Sequence, residues 1–292
     1  MKTAAPIPLF IISLFLLVSF KQDKPAYLLF SSKGKQVKYA KMINDLSGAD
    51  MIFFGESHNN PIAHWLEYEV TRSLYQQVGK NLVMGAEMFE ADNQLIMNEY
   101  LGGLIPADKF EAEARLWKNY KTDYKPLVTF AHDSGLVFIA DNIPRRYASL
   151  VSKKGFEILD SLSDAAKAFI HPLPVPYDPE VRCYKDMLDM MGDTGTQHMS
   201  VNFPKAQAVK DATMAYFIYQ NWQAGKHFLH FNGSYHSDRH EGIIWYLRQM
   251  DSALVIRNIT VTDQEILSKP DSTVLEKADY IIVVPENMTK TY

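Results

Sequence analysis

Acids, imidazoles and a guanidinium recur in this chain directly behind short apolar runs. Met51-Ile-Phe-Phe54 ends in Gly55-Glu56-Ser57-His58, and Leu82-Val-Met84 ends in Gly85-Ala86-Glu87. Leu136-Val-Phe-Ile-Ala140 ends in Asp141-Asn142, with Arg145 three residues on. His227-Phe-Leu-His-Phe231 ends in Asn232-Gly233-Ser234-Tyr235-His236. Carboxylates and imidazoles move protons or hold a divalent ion, and a guanidinium steadies developing negative charge. Glu56, His58, Glu87, Arg145 and His236 are therefore the candidate catalytic group, with Arg146 as an alternative to Arg145. His58, Glu87 and His236 are the candidate ligands of a divalent transition metal. No tight H-E-x-x-H spacing supports that ion, and a metal-free network of the two histidines with Glu56 and Glu87 is the other reading.

These residues can meet only if the apolar runs are neighbouring parallel strands. Candidate strands are Met51–Phe54, Leu82–Met84, Leu136–Ala140, His227–Phe231, Ala253–Ile256 and Tyr280–Val284. The amphipathic stretches Pro61–Gln77, Asp92–Leu101, Lys109–Tyr120, Pro126–Ser134, Pro144–Ser152, Pro204–Ala224 and Glu241–Met250 alternate with them. Pro61, Pro144 and Pro204 suit first helical turns, where the missing N–H is no loss. The alternation predicts an α/β fold, a mostly parallel central sheet flanked by helices. In such sheets ligands bind outside the carboxyl ends of the strands. Gly55 and Gly233 are expected to let the chain turn sharply there and to admit a ligand close to the backbone. Between about Phe156 and Asn221 no strand is evident, and this block reads as an inserted helical lid subdomain. His64 and Glu67 fall on the helix after the first motif and read as a solvated face, with support of the site residues from behind as the alternative. Trp117 to Tyr124 reads as a helix end covering the site from one side.

Composition narrows the class. The chain has 292 residues, 47% hydrophobic and 22% charged, with a formal net charge of −4. That is one sizeable globular domain without the basic excess of a nucleic-acid binder. Lys2 is followed by an uncharged run through Phe20, then Lys21, Asp23 and Lys24. The pattern is that of a secretory signal over residues 1–22, short for a membrane span of about 20 apolar residues. The expected mature domain is 23–292. The sole cysteine, Cys183, lies far from that run, so the chain is not expected to be a lipoprotein.

Several ordered motifs identify a resemblance. Gly55-Glu-Ser-His58, Ala86-Glu-Met-Phe89, Tyr124-Lys-Pro-Leu127, Asp141-Asn-Ile-Pro-Arg145, Ala148-Ser-Leu-Val151 and Gly233-Ser-Tyr-His236 resemble the ChaN family of haem-binding uptake proteins. ChaN proteins belong to the Tiki superfamily with Tiki metalloproteases, TraB proteins and erythromycin esterases. The likeness runs from about Lys41 to Tyr246. It implies haem as cofactor, a homodimer around two stacked haems, and a partner in outer-membrane haem or iron transport. It also implies an exported, periplasmic or outer-membrane-associated location. No motif places the family's haem tyrosine, so Tyr177 and Tyr184 in the insertion, with His198 behind them, are the candidate iron ligands. The competing reading is a metal-dependent hydrolase of esterase or peptidase type in the same crevice. There Glu56 or Glu87 would act as base and Arg145 would hold the oxyanion.

Overall fold

The computed structural model describes residues 24–193 and 201–291. The amino-terminal segment 1–22 and His198 therefore lie outside the described residues. Chain order is β1 (Leu28–Ser31), α1 (Tyr39–Leu46), β2 (Met51–Glu56), α2 (Pro61–Val78), β3 (Leu82–Glu90), α3 (Gln94–Leu101), α4 (Ala107–Glu113), α5 (Lys125–Ser134) and β4 (Val137–Asn142). There follow α6 (Arg145–Lys154), α7 (Asp164–Lys167), α8 (Arg182–Asp193), α9 (Phe203–Asn221), β5 (His227–Gly233), α10 (Ile243–Met250), β6 (Ile256–Gln264), α11 (Ser272–Leu275) and β7 (Tyr280–Pro285).

The strands form one seven-stranded sheet in the order β1-β7-β6-β2-β5-β3-β4. All pairs are parallel except the short edge pair β1 with β7. Strand β2 shows why the sheet must be covered twice. Its side chains alternate between faces: Ile52 and Phe54 join a core with Leu66, Leu74 and Val128. Met51 and Phe53 join a second core with Val151, Val209 and Leu247. Helices α1 to α5 thus supply one face, and α6, α9 and α10 the other. The long helix α9 is buried along most of its length against that second face, so this part of the 156–221 block is built into the sheet's covering layer. No strand occurs in that block among the described residues.

Two departures from the sequence expectation have physical causes. The strand expected at Ala253–Ile256 instead begins at Ile256 and runs to Gln264. Its polar residues hid it. Asn258 is fully buried, and its side chain bonds the carbonyls of Ser237 and Lys277 and the N–H of Asp279. The helix expected over Lys109–Tyr120 stops at Glu113, and a π-helical turn at Tyr120–Tyr124 leads into α5.

Helix α2 is held at its start by Asn60, whose Oδ1 accepts from the N–H groups of Ile62 and Ala63. The Asn60 amide also donates to Asp263 at 2.8 Å. Replacing Asn60 with alanine should lower stability by about 1–2 kcal/mol. Urea unfolding should show a lower midpoint with an unchanged slope; an unmoved midpoint would show that the cap contributes nothing.

Candidate functional site

Strands β2, β5, β3 and β4 are consecutive neighbours and run parallel, so their carboxyl ends share one rim. Glu56 closes β2, Gly233 closes β5, Asn142 closes β4, and Glu87 lies near the end of β3. Glu56, Glu87 and Gly233 border a cleft of about 730 Å³ lined also by His58, Lys210, Tyr235 and His236, among others. A smaller adjoining cavity of about 330 Å³ shares His58, Glu87 and Lys210 and adds Trp117, Asn142 and Arg145. All five candidate catalytic residues of the sequence reading therefore meet at one rim.

Two buried charge clusters floor the cleft. In the first, the Oε1 of Glu56 accepts from His58 Nδ1 at 2.5 Å and from the Tyr124 hydroxyl at 2.7 Å. Glu56 Oε2 faces His64 Nδ1 at 3.0 Å. Burial alone would raise the Glu56 pKa, but the bonds from His58 and His64 outweigh it and bring it down to about 2. Glu67 lies beside it, fully buried, with Oε2 3.3 Å from His64 Nδ1. Burial and the charge on Glu56 push Glu67 up, so of the two carboxyls it is Glu67 that tends to hold a proton. Burial would lower His64, yet its bonds to both glutamates lift it to about 11.

In the second cluster, Glu87 Oε2 accepts from the Gly233 N–H at 2.8 Å and Oε1 lies 3.2 Å from His236 Nε2. His236 Nδ1 makes a short contact with Asp211 on α9. Asp211 also accepts from the Tyr184 hydroxyl at 2.8 Å. Burial opposes charge here too, but His236 outweighs it and holds Glu87 well below the usual carboxylate range. Burial likewise works against His236, which the charges of Glu87 and Asp211 raise to about 9.

His58 is the imidazole most open to the cleft, with its side chain 34% exposed. Its ring meets Trp117 edge-on at 5.1 Å, which confirms the Trp117–Tyr124 segment as one wall of the site. Burial lowers its pKa, but the bond to Glu56 and the nearby Glu87 charge leave it raised. With Nδ1 held, its Nε2 is the atom that can exchange a proton with a ligand. A Cβ on Gly233 would stand 2.7 Å from that Nε2. Gly233 has an ordinary φ of −56°, so it serves close approach of the imidazole and not the sharp turn expected from sequence. Gly55 is likewise not in the left-handed region; a Cβ there would meet the Ile259 carbonyl at 3.0 Å.

The structure sorts the remaining candidates. Arg145 is exposed at the outer cavity, while Arg146 is tied to Asp92 at 2.7 Å. Tyr184 is fully buried with its hydroxyl on Asp211, a position that offers no oxygen to a ligand in the cleft. Tyr177 is half-buried and packs on Phe156 and Tyr184, away from the cleft lining. Among the described residues, the ligand atoms gathered within 4.8 Å of one another belong to Glu56, His64 and Glu67, not to His58, Glu87 and His236. His64 and Glu67 are buried, against the solvated face expected for them, because α2 turns that side toward the end of β2. Sequence reasoning also missed Gln207, Lys210 and Asp211. They belong to a helix that was expected to form a lid, and nothing local marks their aim. Tyr235, 47% exposed in the cleft, lies within Gly233-Ser-Tyr-His236, the local signal that marks it.

Because the His236 pKa is raised, the stability it contributes is fully present below its unfolded value of 6.5 and is lost as pH rises through about 9. His236→Gln should cost about 3 kcal/mol near pH 6 by leaving buried carboxylates uncompensated. The gap between wild type and variant in chemical denaturation should shrink from pH 6.5 to pH 9. A constant gap would show that His236 is not charged in the folded protein.

Residues 42–247 match the family described as haem-binding uptake, Tiki superfamily, ChaN. Among solved structures, ChaN of Campylobacter jejuni, described with cofacial haem binding, is similar at 18% identity and a TM-score of 0.64. The match covers 88% of this chain and 96% of that one. A mutant erythromycin esterase, EreC in its open conformation, is similar at 11% identity and a TM-score of 0.52, covering 91% of this chain and 98% of its own. Identities this low show a shared fold. Among curated proteins none matches the sequence. The family match spans most of the chain, including every strand-end motif around the cleft, and the chain belongs to the ChaN haem-binding family of the Tiki superfamily.

Proposed function

We propose that this chain binds haem in the cleft at the strand carboxyl ends and serves exported haem or iron uptake. The family match over 42–247 carries this reading. The geometry supports it. Met187, Phe203 and Val261 give the cleft an apolar side suited to a porphyrin face. Exposed Tyr235 offers an oxygen ligand of the kind that holds ferric haem iron in catalase. Lys210 and Arg145 border the cleft and its side cavity, where they suit the propionates of haem. The cleft is open on one side, so a second copy facing the first would complete the enclosure as a homodimer. The positive and then apolar run at the amino terminus supports export toward the periplasm, with outer-membrane transport machinery as the partner.

Titrating the purified full chain with haemin should give a saturable, shifted Soret band and a haem-dependent doubling of mass in sedimentation. Tyr235→Phe should weaken the iron–oxygen charge-transfer absorption while the chain stays folded. A spectrum identical to free haemin would overturn haem binding. A normal complex in Tyr235→Phe would move the iron ligand elsewhere.

A further inference from the structure

We propose that Glu56, His64 and Glu67 form a buried site for a divalent transition-metal ion beneath the cleft floor. This goes beyond haem binding and does not depend on it. His64 and Glu67 stand three residues apart on α2 and so share a face, which meets the end of β2 where Glu56 sits. His64 Nδ1 lies 3.0 Å from Glu56 Oε2 and 3.3 Å from Glu67 Oε2. An ion with tetrahedral bonds of about 2.0 Å spaces its ligands by about 3.3 Å. Those two separations are close to that spacing, and the three donor atoms all lie within 4.8 Å of one another.

The far side of each ligand is held in the manner of a metal centre. A ligating histidine presents one nitrogen to the metal and donates the other N–H to a carbonyl or carboxylate. His64 Nε2 faces the His58 carbonyl at 3.1 Å and Asp123 Oδ2 at 3.4 Å, which leaves Nδ1 for the ion. The outer oxygen of Glu56 is taken by Tyr124 and His58, which turns Oε2 inward.

An independent observation points the same way. Glu67 Oε1 is buried with no hydrogen-bond partner, and buried Glu56 Oε2 has its contact with His64 Nδ1, the nitrogen that an ion would take from it. Glu56 and Glu67 are 2% and 0% exposed. A buried carboxylate oxygen without a donor is costly, and a dication supplies what it lacks. Its two charges also balance the two carboxylates, with neutral imidazole as the third ligand. One nitrogen and two oxygens suit zinc, manganese, iron or cobalt, while the lack of thiolate argues against a soft ion. Glu56 also lines the cleft, so the proposed site lies directly beneath it. A bound ion would fix Glu56 and, through it, the orientation of His58.

The test uses chelator-treated full chain titrated with Co²⁺, whose visible absorption reports protein coordination. A single saturable site is expected, weakened at least ~10-fold in His64→Gln and in the near-isosteric Glu67→Gln. Glu87→Gln and His236→Gln should keep it. X-ray absorption of the wild-type Co²⁺ complex should show one imidazole with oxygen ligands, a readout that stands even if the α2 variants do not fold. Absence of Co²⁺ binding, two imidazoles in the shell, or loss of the site in Glu87→Gln with retention in Glu67→Gln would each overturn the proposal.

Discussion

The Glu56 carboxylate, charged at the buried end of the central strand, is the constraint around which the site is organised. An isolated carboxylate cannot stay ionised out of water. Here His58, Tyr124 and His64 surround it, each from a different segment. Those donors must arrive together, so the cap on α2, the π-helical turn before α5 and the loop after β2 are all held in register with β2. Removing any one leaves a buried charge short of a partner, and breaking such a pair costs more than the pair contributes when intact.

A second cluster repeats this logic on the other side of the cleft. Glu87 and Asp211 flank His236, with the Gly233 N–H and the Tyr184 hydroxyl completing their bonds. The two clusters meet at Gly233, where the missing side chain leaves room for His58 Nε2. Helix α9 supplies Asp211, Gln207 and Lys210 to the site while burying its apolar face on the sheet. One element thus joins core packing to site chemistry. Open space lies toward Tyr235 and Met187, where a large ligand has room.

In the proposed haem site, an apolar wall of Met187, Phe203 and Val261 would meet the porphyrin beside a buried polar floor. The porphyrin needs a broad apolar surface and few polar anchors. The charged floor exceeds that need, and the buried glutamates with His64 explain part of the excess as a site with its own chemistry. Related sheets carry different activities, because function lives in the side chains at the strand ends and not in the sheet.

The sequence by itself determined the strand-ending motifs, the parallel alternation and the family. Short apolar runs closed by polar residues are local patterns, and parallel strands must end on a common rim. Glu56, His58, Glu87, Arg145 and His236 were legible for that reason. Tertiary structure alone decided which partners they take. Asp211 reaches His236 from a helix 25 residues away, and Tyr124 reaches Glu56 across 68. It also decided that His64 and Glu67 are buried, that Tyr184 faces Asp211, and that the polar run from Ile256 is a central strand. Helical periodicity gives a residue a face, but what that face meets depends on packing between segments far apart in the chain, and no local pattern encodes it.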